Sequence, residues 1–220
     1  MLKLYHAPIS PNSRRVWITL LEKGLDFELV EVQLSGEQFQ PQFLAMNPFH
    51  HIPVLVDDDL TLVESLAILD YLEAKYPTPV MLPDNPKDLS TVRMVQLVVI
   101  NELLPGIGPL FPMMLGLPGG DAEKIEQAQQ KARTVLKFFE GLLDERPFFG
   151  CDRITLAEPV AGTVLPWMKD GGVPLSDYPK LEEWCDRITA RPSWETTKAT
   201  PEMMQALKLR MKAMMEKKPG

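Results

Sequence analysis

The chain has 220 residues, 45% of them hydrophobic, enough to bury a sizeable core in one large or two small domains. Its formal net charge of -7, from 23 basic and 30 acidic side chains with no basic stripe, argues against a surface built to bind nucleic acid or anionic lipid. Cys151 and Cys185 are too few for a disulfide scaffold, the chain opens on alternation rather than a leader, and no apolar run reaches the roughly 18 residues of a membrane span; a cytoplasmic protein is expected.

Leu2 to His6 alternates as a half-buried strand does, and residues 11–23 have helical spacing closed by Gly24. Residues 27–32 alternate again, so a βαβ unit opens the chain. A polar, irregular stretch over 36–48 follows. Residues 52–56 and 60–63 then flank Asp57-Asp58-Asp59, as the arms of an antiparallel hairpin. Ser65, read as an N-cap, opens a helix through Leu66, Leu69, Leu72 and Tyr76 that Pro77 ends. The order βαβ then ββα over residues 1–77 has the residue budget of a thioredoxin-like domain.

Pro77, Pro79, Pro83 and Pro86 mark a stiff linker over 78–88. Over 89–220 apolar residues recur only at helical spacing, in 92–117, 125–143, 156–168, 181–188 and 203–214, which predicts an all-α second domain. Thr155-Leu156-Ala157-Glu158 is a capping box. Pro105, Pro109, Pro112 and Pro166 predict bends, and bends of this kind can open a cleft. His6, His50 and His51 do not have the spacing of a metal site, so no metal is expected.

Three short segments carry chemistry. Ser10-Pro11-Asn12-Ser13 stands where a thioredoxin-like domain places its redox Cys-x-x-Cys, which excludes dithiol exchange. Ser10 either caps the helix, with Pro11 at the first helical position, or donates a hydrogen bond to an anion such as a thiolate held at the helix N-terminus. Asn47-Pro48-Phe49-His50-His51-Ile52-Pro53 puts a proline at the opening of a strand, where a cis bond would turn the Ile52 backbone toward a ligand. Glu64-Ser65 at a helix start is either a plain cap or a site for a zwitterionic amino-acid end, Ser65 taking the carboxylate and Glu64 the ammonium.

Taken together, Ser10-x-x-x-Arg14-Arg15-Val16, Asn47-Pro48-x-x-x-Ile52-Pro53-Val54, Glu64-Ser65 and the capping box resemble the cytosolic glutathione S-transferases of the serine type (phi, theta, zeta) over essentially the whole chain. The resemblance implies an N-terminal domain that binds glutathione as co-substrate, with no tightly bound cofactor. It also implies a helical domain that shapes a pocket for a small apolar electrophile, detoxification chemistry with a possible peroxidase side activity, and a homodimer. Ser10 would hydrogen-bond the sulfur and Ile52, followed by Pro53, would pair with the cysteinyl backbone. Glu64 and Ser65 would hold the γ-glutamyl end, and His51, with Gln38 as neighbour, the glycyl carboxylate. Phe49 would plug the partner subunit and Glu102 would reach the partner's glutathione. His50 departs from the glycine common at its position, and Glu158 from the usual Asp.

Arg14, four positions after Ser10, either assists the thiolate or pairs with the second domain. Ile9, Phe111, Met113, Met114 and Trp167, near the predicted bends, are expected to line the electrophile pocket. Lowering a thiol pKa by about two units is worth roughly 2.7 kcal/mol. One charge-assisted hydrogen bond of about 1.5–3 kcal/mol with a helix-terminus contribution of about 0.3–1 kcal/mol covers it. Two other readings share the same site: a non-catalytic binding or adaptor protein, and a glutathione-dependent isomerase.

Overall fold

The first strand, β1 (Leu2–His6), buries Leu2, Leu4 and His6 and leaves Lys3 and Tyr5 half-buried, the alternation that one covered face requires. In the computed structural model, which describes residues 1–216, it leads into α1 (Pro11–Glu22), then β2 (Phe27–Glu31), β3 (Val54–Asp57), β4 (Leu60–Leu62) and, after the short α2 (Pro41–Met46) between β2 and β3, α3 (Ser65–Lys75). The four strands form one mixed sheet in the order β2-β1-β3-β4. β1 runs parallel to β2, with Leu4 opposite Leu29, and antiparallel to β3, with Leu4 opposite Leu55. β3 is interior, so Val54 and Leu55 are both fully buried. The α1 crossover between parallel strands and the two-residue turn between β3 and β4 make this the thioredoxin-like arrangement expected.

From Pro86 onward the regular elements of the described chain are all helical, apart from one isolated bridge between Phe148 and Cys151. The long helices are α4 (Pro86–Val98), α5 (Ala122–Leu142), α7 (Pro179–Thr189) and α9 (Pro201–Glu216); the short α6 (Ala157–Ala161) and α8 (Pro192–Thr196) lie between them. Residues 217–220, included in the expected helical domain, lie outside the described residues. Pro86, Pro179, Pro192 and Pro201 each open a helix at the position where a missing N–H costs nothing. No single helix is long and apolar enough to cross a membrane among the described residues. One hydrophobic core runs through both parts, from Leu4 and Leu55 to Val95, Phe139 and Trp184.

Several expectations need correction. The stretch 36–48 is not irregular throughout: a 3-10 turn (Glu37–Phe39) and α2 occupy it, because Pro41 starts a helix and Phe43 buries against the sheet. Ser65 is the first helical residue rather than the cap; Glu64 holds the cap position at φ 66, a left-handed backbone uncommon for a side chain of this kind. The helix expected over 92–117 breaks up. Leu104 N–H bonds the carbonyl of Val99 in a π turn (Val99–Leu103), since Pro105 has no N–H to continue the α pattern, and the axis bends by 59° before Gly108. The segment 156–168 is helical only in α6 and in a 3-10 turn (Leu165–Trp167) around Pro166. α8 lies outside every segment expected to be helical, between 181–188 and 203–214.

The capping box forms, with Thr155 N–H donating to Glu158 at 2.7 Å and Ala157 N–H donating to Thr155 Oγ1 at 3.1 Å. The Glu158 carboxylate is fully buried and also receives Phe149 N–H at 2.9 Å and Trp184 Nε1–H at 3.4 Å. The chain leaving α3 is held by Lys23, whose buried ammonium donates to the carbonyls of Tyr76 at 2.8 Å and Pro79 at 3.0 Å and pairs with Glu73 at 2.6 Å.

Candidate active site

The β1–α1 turn is built by its two serines in different ways. Ser10 caps α1: its Oγ accepts the Ser13 N–H at 3.4 Å, with Pro11 at the first helical position. Ser13 is buried, and its Oγ accepts the Ala7 N–H at 3.2 Å, which folds the turn back on β1. Ser10 itself is half-buried and faces a cleft of about 460 Å³. Because the cap uses an acceptor site of Ser10, its hydroxyl hydrogen is left to donate outward.

The cleft gathers side chains from four separated segments. Ser10 and Asn12 come from the cap and first turn of α1, and Gln38 from the 3-10 turn after β2. His50, His51, Ile52 and Pro53 come from the loop before β3, and Glu64 and Ser65 from the start of α3. The loop before β3 is fastened by the buried Asn47, which donates Nδ2–H to the His51 carbonyl at 2.7 Å and accepts the Phe49 N–H at 3.0 Å. His50 sits at φ 51, the region a glycine enters without cost, and its ring lies 4.9 Å from that of Phe39. The loop thus keeps a glycine-like turn with a histidine in it. The Ile52–Pro53 bond is cis. Among the described residues neither the Ile52 N–H nor its C=O has a hydrogen-bond partner.

Arg210 of α9 completes the wall and is, among the described residues, the one Lys or Arg lining the cleft; it donates to the Leu34 carbonyl. Sequence reasoning missed it, along with Asn12 and Leu34. Its segment reads as an ordinary amphipathic helix, and only tertiary packing brings α9 against the β2 side of the sheet.

Beside the cleft is a smaller, apolar slot of about 130 Å³. Ile9 and Pro11, the chain neighbours of Ser10, line one side; Phe111, Met114 and Trp167 line the other, with Leu104 and Ile107. Met113 does not join them. It lies on a separate shallow depression with Leu117 and Ile125, because the short turn Phe111–Met114 points successive side chains in different directions.

Two further residues lie apart from the cleft. Arg14 turns toward the helical part, donating Nε–H to Thr197 Oγ1 at 3.1 Å and Nη2–H to the Trp194 carbonyl at 3.0 Å. Four-residue spacing put Arg14 on the Ser10 side of the helix, but its length carries the guanidinium across to α8. Glu102 is exposed on the π turn and pairs with Lys131.

The description "Glutathione S-transferase, N-terminal domain" fits residues 4–80, and "Glutathione S-transferase, C-terminal domain" fits residues 122–187. Glutathione S-transferase 3 of Zea mays is 36% identical over 209 residues, spanning 90% of this chain and 93% of that protein. The chain belongs to the glutathione S-transferase family. Glutathione S-transferase F10 of Arabidopsis thaliana is 32% identical, over 90% of this chain and 97% of that one. The crystal structure of glutathione transferase F7 from Populus trichocarpa superposes with a TM-score of 0.76 at 32% identity, covering 93% of this chain and 99% of the other. A transferase is thereby favoured over an adaptor or an isomerase.

Proposed function

We propose that the protein is a cytoplasmic, homodimeric glutathione transferase that joins the glutathione thiolate to small apolar electrophiles, in the manner of a detoxification enzyme. The observation that carries the reading is the convergence of Ser10, Ile52-Pro53 and Glu64-Ser65 on one polar cleft, with an apolar slot on the far side of Ser10.

The chemistry follows from what each group can donate or accept. Ser10 O–H donates to the glutathione sulfur and favours its thiolate, aided by the positive end of α1; no general base is required. Ile52 offers an N–H and a C=O to the cysteinyl peptide unit. Ser65 and the N–H groups of the first turn of α3 receive the γ-glutamyl carboxylate, and Glu64 its ammonium. His51, with Gln38, meets the glycyl carboxylate, and Arg210 adds a positive charge near that anionic tripeptide. The slot bounded by Ile9, Phe111, Met114 and Trp167 receives the apolar part of the electrophile, so the reacting carbon sits beside Ser10 and the sulfur. The test is retention on immobilised glutathione followed by conjugation of chlorinated nitrobenzenes and isothiocyanates. Both binding and turnover are expected. Binding with no turnover across that set would return the protein to the adaptor reading.

A further inference from the structure

Arg15 is the one arginine fully buried among the described residues. It stands on the inner face of α1, between Ser13 and Val16, where the neighbouring positions are core. Its Nη1 lies 3.4 Å from Ser65 Oγ, while its Nε and Nη2 have no hydrogen-bond partner, and it forms no salt bridge among the described residues. A buried cation ordinarily has a carboxylate beside it, because removing charge from water unpaired is costly. Here the single polar contact of the guanidinium is with a side chain that itself opens on the cleft. Burial pushes the Arg15 guanidinium down to about 9, so it stays charged at neutral pH.

We infer that Arg15 is a positioning residue for the γ-glutamyl end of glutathione: its buried charge, relayed through Ser65, has as its counter-ion the α-carboxylate of the incoming substrate. This rests on the reading that Ser65 receives that carboxylate. The free chain then holds an uncompensated positive charge behind the cleft, and binding neutralises it without Arg15 touching the ligand. A guanidinium serves this purpose because it stays charged when buried and orients a hydroxyl through a fixed N–H direction. Arg15 is distinct from Arg14, whose donors are taken by α8 and the residue after it.

The experiment compares dissociation constants, by calorimetry on the full chain, for glutathione and for 4-aminobutanoyl-cysteinylglycine, the analogue lacking only the α-carboxylate. The unaltered protein is expected to prefer glutathione about ten- to hundredfold, the range of a charge-assisted hydrogen bond. Arg15→Met is expected to lose most of that preference by weakening glutathione alone, and Arg15→Lys to retain part of it. A full preference surviving in Arg15→Met overturns the inference; no preference in the unaltered protein overturns the seating of the carboxylate at Ser65, and the inference with it. Should Arg15→Met not fold, nitrogen NMR of the slowly exchanging Arg15 guanidinium in the unaltered protein decides. Its signals should move on saturation with glutathione and stay with the analogue, and signals unmoved by glutathione contradict the proposal.

Discussion

Single residues in this fold are held by donors and acceptors whose counts differ from what their position in the sequence suggests. Glu158 reads as half of a helix cap, yet it is the buried acceptor for four donors from three segments. Burial pushes its carboxyl up, against the pull of those four hydrogen bonds, Thr155 foremost. Replacing Glu158 with Gln puts an NH₂ where only acceptors fit and leaves at least one buried donor unpaired. A loss of about 3 kcal/mol is expected, read from the denaturant midpoint at unchanged slope, with glutathione affinity retained in the folded fraction. Ser10 and Ser13 show the same point in the site: the two hydroxyls are three residues apart, one facing the cleft and the other tied to Ala7.

Among the elements, α1 carries the most tasks. Its N-terminus presents Ser10, its inner face buries Arg15, and its outer side is bound to the helical part through Arg14 and Glu22. Glu22 accepts from Arg191 at 2.6 Å and from Ser193. Burial by itself would raise the Glu22 carboxyl, but the bonds from Arg191 and Ser193 outweigh it and hold it below the usual range. A carboxyl lowered on folding binds fewer protons than in the unfolded chain. Its stabilisation is therefore present above the ordinary glutamate pKa near 4.3 and lost as pH falls through the lower folded value. Thermal stability of Glu22→Gln should accordingly lie below that of the unaltered protein at neutral pH, with the gap narrowing as the pH is lowered below about 4. A gap independent of pH would remove the ion pair from the account of how α1 is anchored.

For the whole molecule, the parts legible in the sequence were those set by local rules. The alternation of residues 2–6, the Gly24 stop and the turn at Asp58-Asp59 specify β1, α1 and the hairpin whatever surrounds them, and the three cleft motifs keep their fixed places on these elements. What was not legible depends on contacts made at a distance. The π turn answers Pro105 within a packed helix, Arg14 reaches residues 180 and 183 positions away, and Arg210 enters the cleft wall because α9 folds back over the β2 side. Met113 shows the same limit, since its distance in sequence from Met114 says nothing of which side of a four-residue turn it takes. Ser10, rather than Arg14, is the group proposed to stabilise the glutathione thiolate. The direct measurement is an ultraviolet titration of thiolate in the glutathione complex of the unaltered protein, Ser10→Ala and Arg14→Ala. Ser10→Ala should raise the bound thiol by one to about two pKa units, toward the free value near 8.5, while Arg14→Ala leaves it in place; an unchanged titration in Ser10→Ala would contradict the account.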